Sequence, residues 1–337
     1  MQSNKKIAVD AMGGDGGPSV IIPSVEKFLL KHNDVEAKIF GDSKIIEKYY
    51  NGLNTLVKTR TKIVHTPEYI SSNDSPSSVI RSKKNSSMRL AIESVKNSEC
   101  NACVSAGNTG ALMALSRLVL GTLDGIDRPA IETMMPSLFG HTHVLDLGAN
   151  VDCKAENLYQ FGVMGSVVCS ILDDINNPSV GLLNVGQEAI KGNQQVKAAD
   201  ELLKASKLNY IGYVEGDDIF CSEINVVVCD GFIGNIALKT SEGVAKYMSQ
   251  QLKNEYTKNF MTKLAGVSSS KVLNSFKKII DPRRYNGASL LGLNGVVIKS
   301  HGGADEIAFE SSLDIAIKEA DLSIPTCINK KLNEILN

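Results

Sequence analysis

Short apolar runs alternate along the chain with segments whose apolar residues recur every three or four positions. The runs fall at 5–10, 36–40 and 62–65, up to Cys103-Val104, up to Met135, up to Val144-Leu145, and at 180–183, 210–214, 225–229 and 296–299. Their length and β-branched content predict buried strands. The segments 43–50, 88–96, 111–120, 155–172, 195–205, 236 onward and 306–320 have helical periodicity, and the one at 155–172 is apolar on most faces, as a buried helix would be. Strand and helix in alternation predict a parallel α/β sheet with helices on both faces. Residues 71–87 are polar and read as a loop with one helical turn, and 286–295 read as a glycine-punctuated turn region. From Glu242 the pattern changes. Val244, Met248, Leu252 and Tyr256 repeat at helical spacing, Phe260-Met261 and Leu264 to Val267 form a tip, and Val272, Leu273, Phe276, Ile279 and Ile280 continue a second helix. This predicts a helical hairpin over 242–284, an extension within a single α/β domain spanning 1–337.

Where strands end, small polar residues and glycines gather. The richest exit is Ser105-Ala106-Gly107-Asn108-Thr109-Gly110, between the strand ending at Val104 and the helix from Ala111. A helix start leaves backbone N–H groups unpaired, and glycine lets a ligand come close to them, so the turn suits phosphate. A capped βα turn holding nothing fits this stretch equally well. Other exits carry Asp10 and Asp15, Asp146 and Asn150, Lys191, Asp230 and Asn235, and His301. Five exits bearing Gly with Asp or Asn, set along one sheet edge, predict a polar crevice and hence an enzyme. The loop after the first strand, with Pro18 and Ser19 in the turn, does not fit a dinucleotide fingerprint.

Composition narrows the classes. The chain has 337 residues, 43% hydrophobic and 22% charged, with a formal net charge of −1, no Trp and 5% aromatics. That is ordinary for a soluble protein and poor material for stacking nucleic acid bases. Seven scattered cysteines with apolar neighbours fit free thiols in a reducing compartment, and the lone Cys100/Cys103 pair lacks the second pair a zinc site needs. The N-terminus shows no signal-peptide core and no stretch is apolar enough to span a bilayer, so a cytoplasmic location is expected. Residues 253–284 hold eight Lys or Arg against two acidic residues. A basic hairpin with an apolar tip suits an anionic membrane surface; a helix pair packed on a partner fits as well.

The strand-exit motifs taken together resemble the bacterial acyl-carrier-protein:phosphate acyltransferases, the PlsX family. The resemblance rests on Val9 to Asp15, Ser105 to Ala111, Leu145 to Asn150, Leu182 to Gly186, Asp230 to Asn235, Leu290 to Gly295 and His301-Gly302, and so covers nearly the full length. Asp217 stands where that family usually has Arg, reversing a charge beside the strand exit at 214–216. The resemblance implies a Rossmann-like three-layer α/β/α sandwich related to phosphotransacetylases, a homodimer and peripheral membrane association. It implies transfer of a long acyl chain from acyl carrier protein to inorganic phosphate, with the acyl phosphate passed to a membrane glycerol-3-phosphate acyltransferase, and no metal or organic cofactor.

Such a reaction asks little of side chains, because phosphate is itself the nucleophile. The protein must hold it, stabilise the oxyanion and assist the departing thiolate. By position and residue type, Ser105, Gly107, Asn108, Thr109 and Gly110 are the expected phosphate site. Lys191 is the expected charge neutraliser, Asn235 or Asn108 the oxyanion donor and His301 the proton donor to sulfur, with Asp10, Asp15, Asp146, Asn150 and Asp230 lining the crevice. Two rival readings remain: a phosphotransacetylase using a CoA thioester, and a non-catalytic membrane-surface scaffold.

Overall fold

A computed structural model describes residues 5–336, without the side chains of Lys277, Lys278, Ile280, Pro282, Arg284, Ile335 and Leu336. Ile280 of the expected second helix and three of the eight basic residues at 253–284 therefore lie outside the described side chains.

Eleven strands form one sheet: β1 (Lys5–Asp10), β2 (Val35–Gly41), β3 (Thr61–His65), β4 (Ala102–Ser105), β5 (Ala130–Ser137), β6 (Gly140–Leu145), β7 (Ser179–Leu183), β8 (Asn209–Val214), β9 (Val226–Val228), β10 (Ala288–Leu291) and β11 (Val296–Lys299). Their spatial order is β3-β2-β1-β4-β11-β10-β5-β6-β9-β7-β8. Side chains alternate between faces, and here both faces are covered, so strands read as unbroken apolar runs. Ile7 and Val9 of β1 pack with Phe28, Leu29 and Phe309 on one face, while Ala8 and Cys103 pack with Ile92 and Leu112 on the other. Helices Pro18–Lys31 and Glu306–Asp321 cover the first face, and Ser87–Lys96 and Thr109–Leu120 the second. The buried helix expected at 155–172 is present as Ala155–Leu172, packed on β6, β7 and β9.

The sheet departs from the sequence reading in one consequential way. β1, β2, β3, β4 and β11 are mutually parallel, and so are β6, β9, β7 and β8. Between these halves lie three successive antiparallel pairings, β11 with β10, β10 with β5 and β5 with β6. The five exits thus fall into two sets on two halves of opposite sense, and do not form one row. β10 itself lies inside the expected turn region at 286–295.

The polar stretch at 71–87 contains a two-turn helix, Pro76–Ser82. The segment expected to be a hairpin from 242 begins inside a continuous helix Gly231–Thr257, which is followed by two shorter ones, Phe260–Ser268 and Ser270–Ile280. Among the described residues no helix is long and apolar enough to cross a membrane.

Candidate functional site

The first set of exits, from β1, β4 and β11, is tied into one unit. Ser105 Oγ donates to Asp10 Oδ2 at 2.6 Å and accepts from the Gly107 N–H at 3.0 Å. Ser87 Oγ donates to the other Asp10 oxygen at 2.7 Å. The Asp15 N–H donates to Gly302 O, and the Ser300 N–H to Ser105 O. Gly13 is required by this closeness, since a Cβ there would stand 2.5 Å from Gly107 N. Burial pushes the Asp10 carboxyl up, against the two hydroxyls that favour its charged form. Ser105 and Asp10 are fully occupied inside the protein, so their part is to shape the turn.

Asn108 is occupied as well. Its Oδ1 accepts from the Ala111 N–H and caps helix Thr109–Leu120, while its Nδ2 donates to Ser72 O and Asp74 O. The expected oxyanion donor is therefore a cap and a loop tether. Thr109 and Gly110 stay exposed at the turn's outer edge, with the first helical N–H groups.

The cations at this turn are ones the sequence reading missed. Lys299 ends β11 opposite Ser105 of β4, nearly buried, with its Nζ donating to Ala106 O and Ser300 O. Burial, then the nearby Lys239 charge, lowers its pKa to about 8, against the pull of Asp10 and Asp15. A lysine closing an apolar strand was the available signal. His301 follows two residues later; burial and the Lys239 charge lower its pKa also. Its Nδ1 accepts from the Gly303 N–H at 3.0 Å, so in the neutral ring the proton sits on Nε2.

The second set, from β6, β9 and β7, is organised by Asp146. Its carboxylate accepts from the backbone N–H groups of Ile131, Gly148, Ala149 and Asn150 and from Asn150 Nδ2. Asn150 Nδ2 also donates to Pro129 O. Asp230 accepts from the N–H groups of Phe232 and Ile233 and caps the long helix. Gly234 lets that helix approach, because a Cβ there would overlap Asp146 O at 1.9 Å. Asp146, Asn150 and Asp230 thus build the loop with hydrogen bonds inside the protein. Asn235 has no such duty: it is exposed beside Gly148, with no hydrogen-bond partner for its amide among the described residues.

Lys191 sits after β7, ion-paired with Glu188 at 2.8 Å and close to Glu215, on the other half of the sheet from the Asn108 turn. What joins the two sets is the helix Gly231–Thr257. Lys239 lies one turn beyond Asn235 on the same face, and its charge acts on both Lys299 and His301. Lys299, His301 and Lys239, the last ion-paired with Glu242 at 2.9 Å, therefore share one neighbourhood at the β4 and β11 exits, and Asn235 stands one helical turn from Lys239.

Residues 5–326 match the family described as fatty acid synthesis protein. The chain is 50% identical to the phosphate acyltransferase of Methylococcus capsulatus over 329 residues, covering 98% of this chain and 97% of that one. It is 51% identical to that of Nitrosococcus oceani over 335 residues, with 98% and 97% covered. In fold it is similar to a phosphotransacetylase from Streptococcus pyogenes (TM-score 0.65, 16% identity, 95% of each chain) and the EutD phosphotransacetylase from Staphylococcus aureus (TM-score 0.59, 16% identity, 94% of each).

Proposed function

The chain belongs to the phosphate acyltransferase family, an acyltransferase enzyme family, and from that premise we propose that it transfers a long fatty acyl group from acyl carrier protein to inorganic phosphate for phospholipid synthesis. The observation that carries the location is the buried Lys299 at the joined β4 and β11 exits, where the charge of Lys239 acts on it and on His301, at the turn whose helix starts at the exposed Thr109 and Gly110. Phosphate binds there between cations and amides. One of its oxygens attacks the thioester carbonyl carbon, and the carbonyl oxygen takes the negative charge. Asn235 donates to that oxygen. As the intermediate collapses the carbon–sulfur bond breaks, and His301 Nε2–H donates a hydrogen bond to the departing thiolate, which takes its proton from solvent. A thiol pKa of ~8.5 makes that hydrogen bond helpful and not essential. Lys191, ion-paired with Glu188 on the other half of the sheet, is left outside this step.

The same reading includes a homodimer and a peripheral position on an anionic membrane, which hands the reactive acyl phosphate to a membrane glycerol-3-phosphate acyltransferase. The test is purified protein with acyl-carrier-protein thioester or acyl-CoA, with and without phosphate. Phosphate-dependent loss of the carrier thioester, faster than that of acyl-CoA, is the expected result. Preference for CoA would move the protein to the phosphotransacetylase chemistry, and no turnover of either would leave a scaffold.

A further inference from the structure

At the far end of β6 from these exits, a set of metal-ligating side chains meets that the acyl transfer does not use. His141 and His143 are two apart on β6 and so point to one face, while Cys169 and Asp173 are four apart at the end of helix Ala155–Leu172 and share its face. His141 Nε2 lies 2.9 Å and His143 Nε2 2.8 Å from the same oxygen, Asp173 Oδ2, and Cys169 Sγ lies 3.6 Å from it. The ligating atoms of the two histidines and the aspartate all fall within 4.8 Å of one another, while Cys169 Sγ lies outside that group and has to turn in to complete it. Behind them, Glu132 Oε1 stands 2.8 Å from His143 Nδ1. A carboxylate on the rear nitrogen fixes the ring and leaves Nε2 facing the ion, as at zinc sites. The His143 side chain is fully buried and that of His141 is 31% exposed, which leaves an approach from solvent.

We propose that His141 Nε2, His143 Nε2, Asp173 and Cys169 Sγ bind a divalent zinc-class cation. Two nitrogens, one oxygen and one sulfur form a borderline-soft tetrahedral set, which zinc favours over magnesium or calcium. Without metal, Asp173 Oδ2 can only accept, so both Nε2 atoms carry protons, and His143, with Glu132 at its rear, is an imidazolium. On binding, His143 releases its Nε2 proton and Cys169 its thiol proton to solvent, and His141 moves its proton to Nδ1. The dication then meets one thiolate and one carboxylate, so four bonds form with no net charge on the ion and its ligands, and Glu132 keeps its own behind His143. All four positions are filled by protein, which makes the site structural: it pins β6 to the end of helix Ala155–Leu172.

The test uses the full-length protein, stripped with a chelator and titrated with Co(II) and then Zn(II) alone. Wild type is expected to give intense tetrahedral Co(II) bands with a thiolate charge-transfer band, displaced by about one Zn(II) per chain. Cys169→Ser is expected to lose the charge-transfer band and keep the others. His141→Ala, at a half-exposed position that tolerates truncation, is expected to bind at least tenfold more weakly while circular dichroism and acyltransferase activity stay unchanged. Zinc at a hundredfold excess over the wild-type Kd is expected to raise the wild-type melting temperature by about 4 °C and that of His141→Ala by no more than about 2 °C. Absence of tetrahedral bands in wild type would overturn the proposal. Equal uptake by His141→Ala would overturn it too, by placing the cation elsewhere, for instance on the exposed thiol of Cys221.

Discussion

Asp146 and Asn235 both stand at strand exits beside glycines, yet one holds the protein together and the other is free to act. Asp146 is buried and receives five hydrogen bonds. Its replacement by Ala strands four backbone donors and one amide, each costly when buried without a partner. Asp146→Ala is expected to lose about 3 kcal/mol or more in urea unfolding. Asn235→Ala removes no internal hydrogen bond, so its unfolding midpoint is expected to stay put while turnover falls about a hundredfold, the scale of one lost oxyanion donor. A drop in stability with normal turnover would reverse these assignments. Lys299 gives the pH dependence. Its ordinary value is 10.5 and burial lowers it to about 8, so the cation is present below pH 8 and is lost as pH rises through that value. KM for phosphate is therefore expected to climb above pH 8, and Lys299→Arg, charged throughout, to extend the plateau upward. The unfolded chain keeps the proton to higher pH, so this residue makes stability rise between pH 8 and 10.5. The exits were readable in the sequence as polar; which polar groups were spent on caps was not. Asp and Asn cap helices and bind ligands with the same atoms, and only the partners at Ser72, Asp74 and Pro129 tell the uses apart.

Helices were the most legible elements, because their 3.6-residue period survives in one sequence: helix Ser43–Tyr50 falls at the expected bounds. β10 was hidden. It is a four-residue strand, closed in by Gly287 (φ 120°) before it and Gly292 (φ 89°) after it, and short strands between glycines look like turns. The division after Thr257 was signalled by Asn259, whose side chain accepts from the Thr262 N–H while Thr262 Oγ1 accepts from the Asn259 N–H, a reciprocal cap that starts a new helix. The long helix depends on its own cap. Asp230→Ala leaves two N–H groups at its start without their carboxylate and is expected to cost about 1 kcal/mol in thermal or urea unfolding. The same helix carries Asn235 and Lys239, so KM for phosphate is expected to rise with that loss. Lost stability with unchanged kinetics would separate the helix from the site.

At the scale of the whole molecule, the alternation of runs and periodic segments made an α/β/α sandwich legible, but the reversal of direction between its halves was not. Exit chemistry looks the same whichever way a strand points, and the strand order depends on pairings such as β4 with β11, nearly two hundred residues apart. In the function proposed above the site is assembled across the sheet by one helix, and the helices following it leave apolar groups outside. Phe260 is 77% exposed and Met261 71%, at the start of helix Phe260–Ser268, with Leu264 and Val267 on the next turn. Lys258 and Lys263 flank them. An apolar edge between lysines suits the peripheral membrane position proposed above, with the apolar side chains in the acyl boundary and the cations on anionic lipid. Each contribution has its own signature. Phe260→Ser with Met261→Ser removes two large apolar side chains, each worth about 1.5–3 kcal/mol on full burial. The double variant is expected to lower partition onto anionic vesicles at least about tenfold and to leave solution turnover of a carrier thioester unchanged. Added salt is expected to weaken wild-type binding by screening the lysines and to leave the ratio between wild type and variant nearly constant. Equal partition of the two proteins would show that these apolar side chains face a protein partner and not lipid, and the acyl phosphate would then have to cross water to reach its acceptor.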